Sequence, residues 1–92
     1  MRINPLFVLR DISDEYIVVP LGEEADRVEG ILYLNHVGAF LWKMLEKDES
    51  EDSLVAAMVN KYDVEENVAR RDVMTFLNEL NRIGCLLDYY SE

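Results

Sequence analysis

The stretch ILYLNHVGAFLWKML, Ile31 to Leu45, changes its periodicity half-way along. Ile31 to Leu34 are apolar without a break. From Val37 onward the apolar residues Val37, Phe40, Leu41, Met44 and Leu45 fall at helical spacing. Asn35 stands between the two patterns and is a favoured N-cap, because its side-chain oxygen can accept a hydrogen bond from a free amide of the first helical turn. The stretch therefore predicts a short strand that feeds directly into a helix running to about Glu46. It also raises the question of what pairs with the strand's second edge.

Upstream, the β-branched and apolar run Phe7 to Ile12 follows Pro5, and Tyr16 to Val19 follows a polar turn at Asp14-Glu15, which together read as a hairpin. Gly22 to Glu29 is polar and reads as a loop, and Gly30 introduces the strand Ile31 to Leu34. Downstream, Ser50 is a candidate cap with Ser53 as a competitor. Leu54, Val55, Met58 and Val59 form one face of a second helix ending near Tyr62. Asp63 or Glu65 starts the last and longest helix, in which Ala69, Val73, Phe76, Leu80 and Ile83 recur at three- and four-residue spacing. Gly84 supplies the left-handed terminating position, Cys85, Leu86 and Leu87 turn back toward the core, and Asp88 to Glu92 fray. Strands followed by helices predict an α+β fold: a three-stranded antiparallel sheet with three helices gathered on one face. Trp42, Leu45, Leu54, Met58, Val73, Phe76 and Leu80 are expected in one core.

A chain of 92 residues, half of them apolar, is large enough for one core and too small for two, so residues 1–92 read as a single domain. MRINP lacks the apolar region of a signal peptide, and no apolar run approaches the roughly 20 residues of a membrane-spanning helix. A soluble, cytoplasmic protein is expected. Nineteen acids against nine bases give a formal charge of −10, which opposes contact with phosphate backbones and anionic membranes. The expected partners are proteins or peptides, not nucleic acid or membrane.

Catalysis needs a reactive constellation, and the inventory is thin. His36 is the single histidine and sits beside the proposed cap. Cys85 is the single cysteine and follows the helix-ending glycine, where a buried, inert thiol is expected. Neither has a second His or Cys at ligand spacing, so no metal site and no cofactor are expected. The glycines at 22, 30, 38 and 84 are isolated, which excludes a phosphate-cradling loop. The expectation is a protein that is not an enzyme.

Pro5, LYLN with Gly38 and Trp42 behind it, Tyr62, and DVMTFLNELNRIGCLL over 72–87 are together similar to the PqqD-like family of peptide-binding proteins, also called RiPP recognition elements. The resemblance covers nearly the whole chain and lies in order and spacing: Leu34-Asn35, Gly38, Leu41-Trp42, Asp72-Val73, Phe76-Leu77, Leu80, Gly84 and Leu86. It departs at Lys47 to Ser50, where relatives commonly place a glycine. What it implies is a winged-helix-like domain that binds the leader segment of a ribosomally made precursor peptide. Such a domain presents the leader to a modifying enzyme, often a radical SAM protein, in PQQ or other peptide-modifying pathways. In the family the leader adds as an antiparallel strand to the third strand and lies along the third helix, which here assigns Ile31, Leu32, Tyr33 and Leu34 to the bound strand edge.

On the last helix, Arg70, Met74, Leu77 and Asn81 form a stripe along one side at about 100° per residue. Met74 and Leu77 suit an adaptable apolar pocket and equally suit a widened core face. Arg70 and Arg71 can grip a peptide carboxylate or simply offset Glu65, Glu66 and Glu79. With Asn78, these residues complete the expected peptide-binding set. Two other readings stand beside it. A winged helix can bind DNA, but Glu65, Glu66, Asp72 and Glu79 against Arg70, Arg71 and Arg82 leave the last helix at −1. A docking adaptor on a larger protein would use the same apolar stripe.

Overall fold

In the computed structural model, which describes residues 1–27 and 32–89, Ser13 and Asp14 take φ of 51° and 69°. Two consecutive left-handed residues make the type I′ turn whose twist matches that of the strands it joins. They connect β2 (Phe7–Ile12) to β3 (Glu15–Pro20) in the register Ile12 to Glu15 through Phe7 to Pro20. The turn lies one residue earlier than the polar pair Asp14-Glu15 suggested. β4 (Leu32–Leu34) pairs antiparallel with β3, Tyr16 opposite Leu34 and Val18 opposite Leu32, which completes a sheet of order β2-β3-β4. Gly30 and Ile31, expected to open this strand, lie outside the described residues, as do Tyr90 to Glu92 of the expected frayed end.

The strand passes into α2 (His36–Met44) through Asn35, whose side chain accepts the Gly38 N–H at 2.8 Å. α3 (Glu51–Tyr62) begins at Ser50 with both serines engaged: the Ser50 hydroxyl accepts the Ser53 N–H and the Ser53 hydroxyl accepts the Ser50 N–H, each at 3.0 Å. The two candidate caps are thus the two halves of one capping box. Ser50→Ala removes the cap at a cost of about 1 kcal/mol, which lowers the melting midpoint by roughly 4–8 °C for a domain of this size; a calorimetric melt measures it. α4 (Glu66–Ile83) is the longest element and stops where Gly84 takes φ 96°.

The order of three strands and three helices holds, with three additions. α1 (Glu24–Arg27) is a single turn inside the expected loop. β1 (Arg2–Ile3) and β5 (Leu86–Leu87) pair antiparallel into a two-stranded ribbon that joins the ends of the chain. The Ile3 N–H bonds the Leu45 carbonyl at 2.8 Å and the Asn4 N–H bonds the Cys85 carbonyl at 2.7 Å, so the ribbon is tied to the end of α2 and of α4. Two-residue strands carry no periodicity, which is why only the return of Leu86 and Leu87 to the core was readable.

The core contains Trp42, Leu45, Leu54, Met58, Val73 and Leu80 as expected, together with Leu41, Val55, Ala69 and Cys85. Phe76 is a correction. It is half-buried and packs against the core from the side, whereas Leu77, expected on the groove, is fully buried with 0% exposure. The two flank the centre of the α4 apolar stripe on opposite sides, and neighbours decide between them. α3 packs along the Leu77 side and closes it; the Phe76 side faces the start of α2.

Candidate functional site

The sheet has two outer edges, and they differ in chemistry. β2 carries Arg10 and Asp11, both exposed, and edge charges of this kind oppose pairing with a further strand. β4 carries none: Leu32 and Leu34 are half-buried and turn inward, and Tyr33 points out with 59% of its surface exposed. The β4 edge therefore lacks the charges that block strand pairing on the β2 edge.

Strand geometry shows which groups it offers. In a two-residue hairpin the residues flanking the turn exchange both main-chain hydrogen bonds, so Glu15, Ile17 and Val19 direct N–H and C=O toward β2. The Leu21 N–H continues this alternation by donating to the Leu6 carbonyl at 2.7 Å. Tyr16 and Val18 therefore face β4 and engage Leu34 and Leu32, while Tyr33, opposite Ile17 in a non-bonded pair, turns its N–H and C=O away from the sheet. Pro20 fits the same alternation, since its missing N–H falls on the side away from β2.

α4 approaches the end of this strand through Phe76. A Cβ placed on Gly38 would lie 3.3 Å from Leu34 Cβ, 3.3 Å from Phe76 Cε1 and 3.4 Å from Asn35 Oδ1. The glycine thus lets the Phe76 ring settle against the junction of β4 and α2, and a side chain there would crowd both the ring and Leu34. Residues three, four and seven positions from Phe76 share its flank, which places Asp72, Glu79 and Ile83 along the same side of α4. That flank of α4 thus carries the apolar residues Phe76 and Ile83 together with the acids Asp72 and Glu79.

The expected site residues divide. Leu32, Tyr33 and Leu34 form the edge itself, and Ile31 lies outside the described residues. Arg70 is on the opposite flank of α4, where its guanidinium bonds Glu51 at 2.8 Å and Asp52 at 2.9 Å on α3 and meets Glu66 at 3.5 Å. These contacts, Asp52 first and then Glu51, raise its pKa further above the ordinary value. Met74 is exposed on that same side, and Leu77 is core. Arg71, Asn78 and Asn81 are exposed, and Asn78 accepts a hydrogen bond from the Tyr89 hydroxyl at 2.8 Å. Arg70, on the flank away from Phe76, lines a groove of about 620 Å³ between α3 and α4 together with Val55, Ala56, Val59, Asn60 and Glu66. Gly38 at the third position of α2 was the sequence signal for the close approach of Phe76, because an internal glycine in a short helix marks such an approach.

The electrostatics oppose phosphate binding. Arg82 bonds Glu79 at 2.6 Å, Arg70 is held by three carboxylates, and Arg71 lies 3.9 Å from Asp72, so each arginine of α4 has a carboxylate neighbour. His36 stands edge-on to Tyr16, with ring centroids 5.3 Å apart and the tyrosine hydroxyl 3.4 Å from Nδ1. Among the described residues no cluster of His, Cys, Asp and Glu could hold a metal ion, and no helix is long and apolar enough to cross a membrane.

Burial, aided by the Glu24 charge, pushes the Cys85 thiol up to about 12 from an ordinary 9.0. Its folded pKa is the higher one, so stability is unaffected below pH 9 and declines as the pH rises toward 12. At neutral pH the native chain should resist iodoacetamide and react only when unfolded in guanidinium, as intact-mass measurement would show.

A family model described as coenzyme PQQ synthesis protein D (PqqD) matches residues 11–86. Among solved structures, TbiB1 in complex with the TbiA(beta) leader peptide is 26% identical with a TM-score of 0.81, over 99% of this chain and 100% of that one. Lasso peptide synthetase B1 complexed with the leader peptide is 20% identical with a TM-score of 0.74, over 94% and 95%, and is alike in fold. None of the curated proteins matches the chain significantly.

Proposed function

The chain belongs to the PqqD family, that of coenzyme PQQ synthesis protein D, and from that premise we propose that it binds the leader segment of a ribosomally made precursor peptide and presents it to a modifying enzyme. The leader adds as an antiparallel strand on β4, with side chains directed toward the Phe76 flank of α4. The observation that carries this reading is the uncharged edge of β4, where Tyr33 turns both main-chain groups away from the sheet. The main chain supplies attachment of this kind, and the pockets for alternate side chains supply selectivity. The leader-peptide complexes of the two similar structures support it.

The protein acts as a binding component without a reaction of its own, in the cytoplasm where precursor peptides are made. The modifying enzyme it serves is of the radical SAM class, in a PQQ-type or related peptide pathway. Arg71, Asn78 and Asn81 stay on the solvent side of α4, open to that enzyme while the leader occupies the other flank.

Titration of the isotope-labelled chain with candidate leader peptides tests the site. Amide shifts should concentrate at residues 32–35 and along 72–83. Shifts gathered instead at 51–61, around Val55 and Val59, would place the partner in the α3–α4 groove and favour the docking-adaptor reading.

A further inference from the structure

The open edge of the sheet is longer than β4. Asn35 follows it in extended backbone, with φ −82° and ψ −178°, so its N–H continues the alternation and points to the same side as the N–H and C=O of Tyr33. Its carbonyl does not follow, because it turns into α2 and accepts the Ala39 N–H at 2.9 Å.

What happens to that amide depends on the third residue of the helix. In α3 this residue is Ser53, whose hydroxyl takes the Ser50 N–H at 3.0 Å. In α2 it is Gly38, which has no side chain to reach back. Among the described residues the Asn35 amide has no acceptor, although it is exposed and lies in line with the β4 edge.

We infer that the Asn35 amide is a third main-chain anchor for the bound peptide, so that pairing runs one step beyond β4. This rests on the strand-addition reading and specifies what the peptide must provide. The peptide residue opposite Tyr33 exchanges both hydrogen bonds with it and needs its own N–H. Two places earlier in the antiparallel peptide, a residue gives its carbonyl to Asn35 but finds no acceptor for its N–H, because the Asn35 carbonyl is committed to Ala39. The substrate class is an extended peptide that tolerates proline or an N-methyl residue at that earlier position and refuses it opposite Tyr33. Gly38 therefore has two roles: it admits the Phe76 ring, and it leaves the Asn35 amide free.

Hydrogen exchange of the free chain gives the first test. The amides of Leu32 and Leu34, bonded to β3, should exchange about tenfold or more slowly than those of Tyr33 and Asn35. Equal protection of Asn35 and Leu34 would overturn the inference. The second test uses the strongest binder selected from a library of random dodecapeptides. It should slow exchange at both Tyr33 and Asn35, and an N-methyl scan should show loss at the position opposite Tyr33 and tolerance two residues earlier. Gly38→Ser should weaken that peptide by roughly 2- to 10-fold more than Gly38→Ala, since both add the crowding Cβ and only serine can occupy the Asn35 amide. Equal weakening by the two, or a bound state that leaves Asn35 unprotected, sinks this anchor alone. A selection that yields no binder sinks the strand-addition reading and the anchor with it.

Discussion

Tyr33→Pro is expected to leave the chain folded and to remove leader binding. The substituted N–H is not part of the β3–β4 ladder, because Tyr33 sits in the non-bonded pair with Ile17 and turns its amide outward. Proline is tolerated on an edge strand in that orientation. The side chain it replaces is 59% exposed, so little packing is lost. For the peptide the change is severe. It loses one hydrogen bond, worth about 0.5–1.5 kcal/mol by itself, and the pyrrolidine ring occupies the space where the peptide main chain must approach. A loss of about 100-fold or more in affinity is expected from the two together, about 2.8 kcal/mol at 1.4 kcal/mol per factor of ten. Fluorescence anisotropy with a labelled leader measures it. Leu34→Pro is the contrast, since the Leu34 N–H lies in the ladder with Tyr16 and its removal should loosen the sheet itself. Parental affinity in a folded Tyr33→Pro chain would move the peptide off this edge.

The largest effect on stability is expected at Leu77. Its side chain is fully buried against the α3 side of α4, with Val73 and Leu80 beside it on the same face. Truncation to alanine costs about 2–5 kcal/mol. Aspartate in the same place adds a carboxylate for which no buried basic partner exists among the described residues, and such a group costs several kcal/mol more. The sum approaches or exceeds the roughly 5–15 kcal/mol that holds a small domain together. Leu77→Asp should therefore show unfolded far-ultraviolet circular dichroism at neutral pH. Met74→Asp, three residues earlier and exposed, should melt within about 0.5 kcal/mol of the parent. A well-dispersed amide spectrum from Leu77→Asp would show that the core had been drawn in the wrong place.

The contrast between these two positions shows what the sequence could and could not convey. Caps were readable because they are local: Asn35, the Ser50–Ser53 pair and Gly84 each satisfy main-chain groups within a few residues, and residue type announces them. The order of strands and helices was readable because apolar periodicity is strong in β2, β3 and α4. Which side of α4 would be covered was not, since Phe76 and Leu77 lie at similar angles from the centre of the stripe. Only the position of α3 distinguishes them. The α3 partners of Arg70 were hidden for the same reason: Glu51 and Asp52 lie 19 and 18 residues away in sequence, and no local pattern records that contact. The edge at β4 was visible as a short apolar run before a cap, but the outward turn of Tyr33 required the hairpin register, which depends on Ser13 and Asp14 both adopting left-handed backbone.

The ribbon of β1 and β5 also bears on how the chain acquires its shape. Arg2 and Ile3 meet Leu87 and Leu86, so the pairing spans almost the entire chain, whereas the β2–β3 hairpin closes through two residues. Loop closure over a long span is entropically more costly than over a short one, and contacts far apart in sequence form late. During synthesis the first strand emerges long before its partner and must wait, with Ile3 uncovered, until Leu87 has left the ribosome. The hairpin, β4 and α2 need no such delay. The closing of the ribbon should therefore come late in folding, after the local β2–β3 hairpin has formed.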